Sequence, residues 1–425
     1  MAPVTPCAHT AAILEDLPTV RGWQEDLYRD LHEHPELSNQ ERRTAAIVTE
    51  RLRDWGYEVH SAVGGTGVVG VLRNGDGPTV LLRADMDALP VKEATGLPYA
   101  SKARSTDDAG NEVPVAHACG HDAHVTCLLG AAALLAQHTG QWAGAIVAVF
   151  QPAEELGRGA AQMVEDGLAQ LIPPVDVALA QHVGPGPAGF VGTRSGPILA
   201  SADSLRVTVY GRGSHGSMPQ HSIDPVVLAA MIVLRLQTIV SREVDPTQTA
   251  VVTVGSVRAG SKSNVIGDHA VLEINVRTYD DAVRKTVLAA IRRIVVAECQ
   301  ASGCPRDPDI EHYDEFSATI NDDTSTGRVA EAFTEYFGNQ FAEIPPVTAS
   351  EDFGDIPAAL GAPGTYWFIG CVDAEQFWRA FAAGRMSEDI PVNHAPNFAP
   401  VVQPTLDIGT QALVVAALAW LRPAS

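Results

Sequence analysis

Four short apolar runs at 68–72, 79–82, 145–150 and 175–180, the first two joined by a short turn and the rest separated by stretches long enough for helices, constrain this chain more than any other feature. A strand with one wet face alternates polar and apolar residues. Near-continuous apolar strands are buried on both faces, so helices must cover the sheet above and below. An amphipathic helix precedes them, with Trp23, Leu27 and Leu31 at fourfold spacing and a stop near Pro35. A second helix follows, with Ser38-Asn39-Gln40-Glu41 as its capping box and Trp55-Gly56 as its end. The turn signal Asn74-Gly75-Asp76-Gly77 predicts that the first two runs pair as a hairpin.

Near residue 200 the pattern changes. Strands are expected at 205–210, 250–257, 271–278 and 310–313, with helices at 225–240 and 282–299, the βαββαβ order of a small ferredoxin-like module. From about residue 315 the α/β pattern resumes and ends in an apolar helix through 412–421. The expected fold class is therefore α/β, with a mixed-sheet domain formed discontinuously by 1–200 and 314–425 and a module inserted at 201–313. A length of 425 residues supports both.

Composition excludes some functions. With 46% hydrophobic and 19% charged residues the chain reads as globular. A formal net charge of −22 argues against nucleic acid and anionic membranes as partners. Residues 1–20 lack a basic start followed by an apolar core, and no apolar span of about 18 residues is expected anywhere, so a cytoplasmic location is expected. Cys7, Cys119, Cys127, Cys299, Cys304 and Cys371 form no CxxC pair, and disulfides are not expected. Core packing accounts for Cys127, Cys299 and Cys304; only Cys119 has chemical surroundings.

Those surroundings are His117-Ala118-Cys119-Gly120-His121-Asp122-Ala123-His124, where a thiol, three imidazoles and a carboxylate crowd a loop before an apolar helix. Such groups suit a borderline transition metal, and a loop can aim Cys119 and His121 at one point. A chance cluster on a solvated loop is the alternative. Glu154-Glu155 follows the run ending at Phe150; on extended backbone the two side chains point to opposite sides, so one could ligate metal while the other faces substrate or water. His182 follows another run and His394 lies on a distant loop. Each alone reads as structural. The carboxyl ends of strands in open α/β sheets are where sites form.

His34-Pro35-Glu36, Arg83-Ala84-Asp85-Met86-Asp87-Ala88-Leu89-Pro90, His117 to Asp122, Gln151 to Glu155, Gly213-Ser214-His215-Gly216, Ser350-Glu351-Asp352-Phe353 and His394 together resemble the metal-dependent amidohydrolases and aminoacylases of the M20 peptidase clan, in the subgroup of hippurate and indoleacetyl-amino-acid hydrolases. The resemblance runs through nearly the whole chain. It implies a two-metal, peptidase-like catalytic domain carrying a ferredoxin-like lid and dimerisation domain.

It further implies that Cys119, His121, Glu155, His182 and His394 ligate two divalent ions, with Cys119 bridging, Glu154 as general base and Asp87 orienting a ligand. Zinc suits this set, and manganese, cobalt or nickel are accepted by the same donors. His117, Asp122 and His124 are left as supporting partners, with His124 alternatively facing the helix core. In the inserted module, His215 would polarise the scissile carbonyl of a neighbouring subunit, and Asn264 and Arg277 would hold the substrate carboxylate. A homodimer is implied, with a tetramer as the alternative. The implied reaction is hydrolysis of an N-acyl amino acid by a metal-activated water; a carboxypeptidase or dipeptidase using the same site and a non-catalytic metal-binding protein are the alternatives.

Overall fold

The computed structural model describes residues 8–421. It divides into two compact units, one of Met1–Ile198, Ile320–Pro345 and Asp352–Ser425, the other of Leu199–Thr319 and Pro346–Glu351.

The first unit is built on a mixed eight-stranded sheet. Its centre is four parallel strands, Gly144–Gln151, Thr79–Asp85, Val177–Pro187 and Gly364–Val372, in that spatial order. Gly67–Asn74 and then Glu58–Val63 extend one side antiparallel; Val191–Thr193 and Phe341–Glu343 extend the other. Every residue of Thr79–Asp85 and Gly144–Gln151 is buried, as their unbroken apolar runs require. Helix His121–Gln137 is buried from His121 to Leu135 and packs against helices Leu17–Glu33 and Val402–Leu418. A helix with no wet face belongs inside a protein.

Two local expectations fail. Gly67–Asn74 and Thr79–Asp85 do not pair, because Gly144–Gln151 lies between them, antiparallel to the first and parallel to the second. Turn chemistry reverses the chain without choosing the partner, and Gly77 packs so tightly on the approach to this third strand that a Cβ would meet Ala143 O at 2.7 Å. The hairpin partner of Gly67–Asn74 is Glu58–Val63, joined through the left-handed Gly64 and Gly65. Nor does Ser38 cap the second helix, Arg42–Asp54. Glu36 does so instead, accepting from the Arg43 and Thr44 N–H groups at 2.8 Å each.

The second unit is a four-stranded antiparallel sheet in the order Ala250–Ala259, His269–Thr278, Ser201–Tyr210, Asp309–Phe316, with helices Pro225–Thr238 and Asp281–Ala301. The succession is the expected βαββαβ. Asp224 and Asp280 cap the helices by accepting from Val226 N and from Ala282 and Val283 N. Leu228, Ile232 and Leu236 join Ile291, Val295, Val207, Leu272 and Ile274 in one core. Contrary to the expectation that no such span occurs, Pro225–Glu243 is long and apolar enough, by length and composition, to cross a membrane, a property that Arg235 and Arg242 obscure in the sequence. Its apolar residues divide between that core and an exposed face of Val226, Val227, Met231 and Leu234.

Cys119, Cys127, Cys299, Cys304 and Cys371 are free thiols; Cys7 lies outside the described residues.

Candidate active site

The carboxyl ends of the central strands deliver the chemistry. Cys119 and His121 flank Gly120, whose φ of +86° makes the turn into helix His121–Gln137. A Cβ there would lie 2.4 Å from Val183 Cγ2, so only glycine lets this loop approach the strand bearing His182. The Cys119 thiol lies 3.5 Å from His182 Nε2 and shares a compact donor group with Glu155 and His394. His182 donates its Nδ1 proton to its neighbour's carbonyl, Val183 O, at 2.7 Å, which leaves Nε2 as the lone-pair nitrogen facing the thiol. His394, at a left-handed φ of 70°, brings Nε2 within 3.4 Å of Glu155 Oε2. That strained backbone is tied down by His394 N donating to Ala118 O and by Asn393 Nδ2 donating to Cys119 O and Val183 O.

Glu154 and Glu155 do not sit on extended backbone. Glu154–Leu156 is a 3₁₀ turn entered through Ala153 at φ 49°. Consequently the two carboxylates converge rather than diverge, Glu154 Oε2 lying 3.9 Å and Glu155 Oε1 3.8 Å from His121 Nε2. All five residues expected as ligands are thus brought together, and Glu154 stands beside them.

Behind them is a buried polar frame. Asp87 accepts from Glu154 N at 3.1 Å, Glu155 N at 3.0 Å and Ser38 Oγ at 2.7 Å, and lies 3.3 Å from His121 Nδ1. Val183 N donates to His124 Nε2 at 2.8 Å, so His124 Nδ1 carries the proton and gives it to Asp85 Oδ1 at 2.5 Å. His124 is a bracket between strands, with both nitrogens spent. Asp122 turns away to His32 Nδ1 at 2.7 Å, whose other nitrogen meets Glu93 Oε1 at 3.0 Å. His117 is buried with neither nitrogen hydrogen-bonded, and burial pushes it down to about 4. Arg83, fully buried, donates to Gln151 Oε1 and Asp85 Oδ2 and lies 3.3 Å from Asp352 Oδ1.

Whether these residues fit divalent cations is decided by their unmet needs. Both nitrogens of His121 and Glu155 Oε1 are buried without a hydrogen bond, a cost no fold carries at several atoms without a partner. Charge agrees. Burial opposes a charged His121, yet Asp85, Cys119 and Asp87 raise its pKa well above the usual histidine value. Cys119 and Glu155 push His394 up to about 10. The cluster holds surplus negative charge that draws protons to His121 and His394, while burial and the neighbouring His124 and His121 keep His182 neutral, and cations satisfy that charge as well. Cys119, Glu155 and His394 form one compact donor group and His121, Glu154 and Glu155 another, an arrangement suited to two ions sharing ligands.

His215, Asn264 and Arg277 belong to the second unit. His215 is exposed on a two-residue ladder opposite Val265. Ser217 N donates to His215 Nδ1 at 3.1 Å, so in the neutral ring Nε2 carries the hydrogen and points outward as a donor. Gly216 N donates to Asn264 O at 2.8 Å, which places Asn264 beside His215. Arg277 is apart, half-buried on His269–Thr278, donating to Asn275 Oδ1 at 2.9 Å and Ser350 Oγ at 2.6 Å. Both partners are neutral, so its charge is not spent on a carboxylate.

Sequence reasoning reached part of the frame, with Asp87 orienting a ligand and Asp122 and His124 as supporting partners. Asp85 and Asp352 stood in quoted motifs without a role, and Glu41 was read only within a capping box; His32 and Glu93 carry no local chemical signal, and the partners of all five lie far along the chain.

Comparison with known proteins agrees with this geometry. Residues 81–393 match the family model described as peptidase family M20/M25/M40. An N-acetyl-L-cysteine deacetylase of Bacillus subtilis (strain 168) is 38% identical over 352 residues, covering 82% of this chain and 80% of the relative. A hippurate hydrolase of Campylobacter jejuni is 39% identical over 348 residues, covering 80% and 87%. Among solved structures, a dinuclear metal-binding peptidase of the M20 family from Bacillus subtilis superposes with a TM-score of 0.74 at 28% identity, covering 94% of this chain and 98% of the other. The chain is thus a hydrolase and belongs to peptidase family M20/M25/M40.

Proposed function

We propose that the protein hydrolyses the amide bond of N-acyl amino acids, releasing a carboxylate and a free amino acid. The observation that carries this is the convergence of Cys119, His121, Glu155, His182 and His394, with the buried His121 nitrogens and Glu155 Oε1 lacking partners. These five would hold two divalent ions, zinc by preference, with manganese, cobalt or nickel accepted. When bound, such ions polarise an amide carbonyl and lower the pKa of a water. Glu154, on the turn that Asp87 steadies, takes the proton of the attacking water and returns it to the leaving amine. The outward Nε2–H of His215 donates to the carbonyl oxygen as negative charge develops there. Arg277 and Asn264 hold the α-carboxylate, a fork-shaped donor being suited to it.

The first unit is the catalytic domain on this reading, and the βαββαβ unit a lid and dimerisation domain. A homodimer is supported by the exposed face of Val226, Val227, Met231 and Leu234 and by the edge strand Ala250–Ala259, where Val251 and Val257 are also exposed. Five free thiols suit the reducing cytoplasm.

The test is amine release from N-acetyl, N-benzoyl and N-palmitoyl amino acids and from dipeptides, with metal-loaded wild type beside Glu154→Ala. Release from acyl amino acids, lost in the variant, is expected. Release from dipeptides alone assigns a peptidase, and release unaffected by the variant overturns the role of Glu154.

A further inference from the structure

The turn bearing Glu154 and Glu155 is improbable backbone. Ala153 sits at φ 49°, ψ 38°, a left-handed conformation that disfavours any side chain. Such a residue persists only where its surroundings hold it. Its N–H donates to Glu41 Oε1 at 2.9 Å. The next amides, of Glu154 and Glu155, donate to Asp87, and Ala160 N, beyond the turn, donates to Asp352 Oδ2 at 3.0 Å. Three carboxylates from three distant stretches of chain therefore hold four amides of one loop. Asp87 is tied to His121 and Asp352 to Arg83. Glu41 has neither link, and all three groups hydrogen-bonded to it are donors: Ala153 N, Asn39 N at 2.9 Å and Thr66 Oγ1. Its carboxylate is wholly buried, and among the described residues no arginine, lysine or histidine is paired with it.

We infer that Glu41 is a positioning residue for the hydrolysis: by accepting the Ala153 N–H it locks the left-handed entry of the turn and so fixes where the Glu154 carboxylate stands. A buried, uncompensated carboxylate costs stability, and burial together with the charge of Asp87 pushes Glu41 up to about 7. That cost is offset where the clamp is needed. Ionised Glu41 is also the better acceptor, since charge-assisted hydrogen bonds are roughly twice as strong as neutral ones.

This inference rests on Glu154 being the base, and its test separates the two ideas. Exchange of the Ala153 amide, read at single-residue resolution in purified wild type and in Glu41→Ala, Glu41→Gln and the double variant Glu41→Ala/Ala153→Gly, needs no substrate. Kinetics on the same proteins follow. Expected are loss of Ala153 amide protection in Glu41→Ala, a fall in kcat of about 100-fold with KM little changed, and recovery of at least about 10-fold on adding Ala153→Gly, because glycine enters the left-handed region without strain. Glu41→Gln, isosteric but neutral, is expected to fall between. An Ala153 amide as protected in the variants as in wild type, or no recovery with glycine, overturns the clamp. Should Glu41→Ala fail to fold, Glu41→Gln reads the same amide, and protection equal to wild type overturns it. Wild type inactive on every substrate tested instead overturns the reading of Glu154 and leaves the amide result standing.

Discussion

The turn of Glu154 and the loop of His215 hold their side chains in opposite ways. Around Glu154, amides 153 to 155 are bound by buried carboxylates of Glu41 and Asp87, and His121 is enclosed on every side. His215 is exposed, and its ring is oriented by Ser217, two residues away. The first arrangement is prebuilt, so little reorganisation remains when substrate arrives. The second sets a tautomer without an environment. A donor in water is worth little, and in its proposed role His215 would reach full strength only where solvent is excluded. On the proposed reading, the fold fixes base and ligands in advance and leaves the carbonyl donor to be completed on binding.

That contrast can be broken experimentally, beginning with the largest effect. Removal of divalent ions by a chelator is expected to abolish amine release, with readdition restoring it; activity that survives complete removal, checked by elemental analysis, would break the prebuilt half. His215→Ala is expected to lower kcat by about 10²- to 10³-fold while bound metal, measured the same way, stays at the wild-type value. Loss of metal from that variant would join the two regions that the comparison separates.

Stability supplies the next measurement. Burial opposes a charged His32, but Asp122 and Glu93 bind it on both sides and raise it to about 10. Its folded pKa exceeds its unfolded value, so its stabilisation is complete below about pH 6.5 and is lost as pH rises through about 10. Thermal melts of wild type are expected to decline more steeply than those of His32→Gln between those limits, and parallel curves would show that the imidazole is neutral. Arg277→Lys should have the smallest effect, raising KM for N-acyl amino acids by about 10-fold through loss of the two-pronged donor. An equal rise for substrates lacking the α-carboxylate would remove Arg277 from substrate recognition.

How much of this was legible follows from where each signal resides. Buried strands, the βαββαβ succession and the donors Cys119 and His121 are written locally, as unbroken apolar runs or as a concentration of Cys and His, whereas His182 and His394 join the set only through the family resemblance. Strand partnership is not local. The turn at Asn74 to Gly77 reads as a hairpin because chemistry there reverses the chain, yet the partner of both neighbouring strands begins at Gly144. Ser38 reads as a helix cap because its neighbours fit the motif; in the fold Glu36 takes that task and Ser38 supports Asp87. Glu154 and Glu155 read as extended because they follow a strand, and only the left-handed Ala153 makes them converge. Frame residues such as Glu41 were illegible for one reason: each acts on a group brought near by the fold, 112 positions away for Ala153.

The strand Gly144–Gln151, threaded between two segments that are neighbours in sequence, also dictates an order of assembly. Until it docks, Gly67–Asn74 and Thr79–Asp85 each have an unsatisfied ladder edge, and closing them requires a contact across roughly seventy residues, a slow step because of the loop entropy it must overcome. The same strand ends at Gln151, immediately before the turn carrying Glu154 and Glu155. Completion of the sheet and placement of these two carboxylates are therefore coupled.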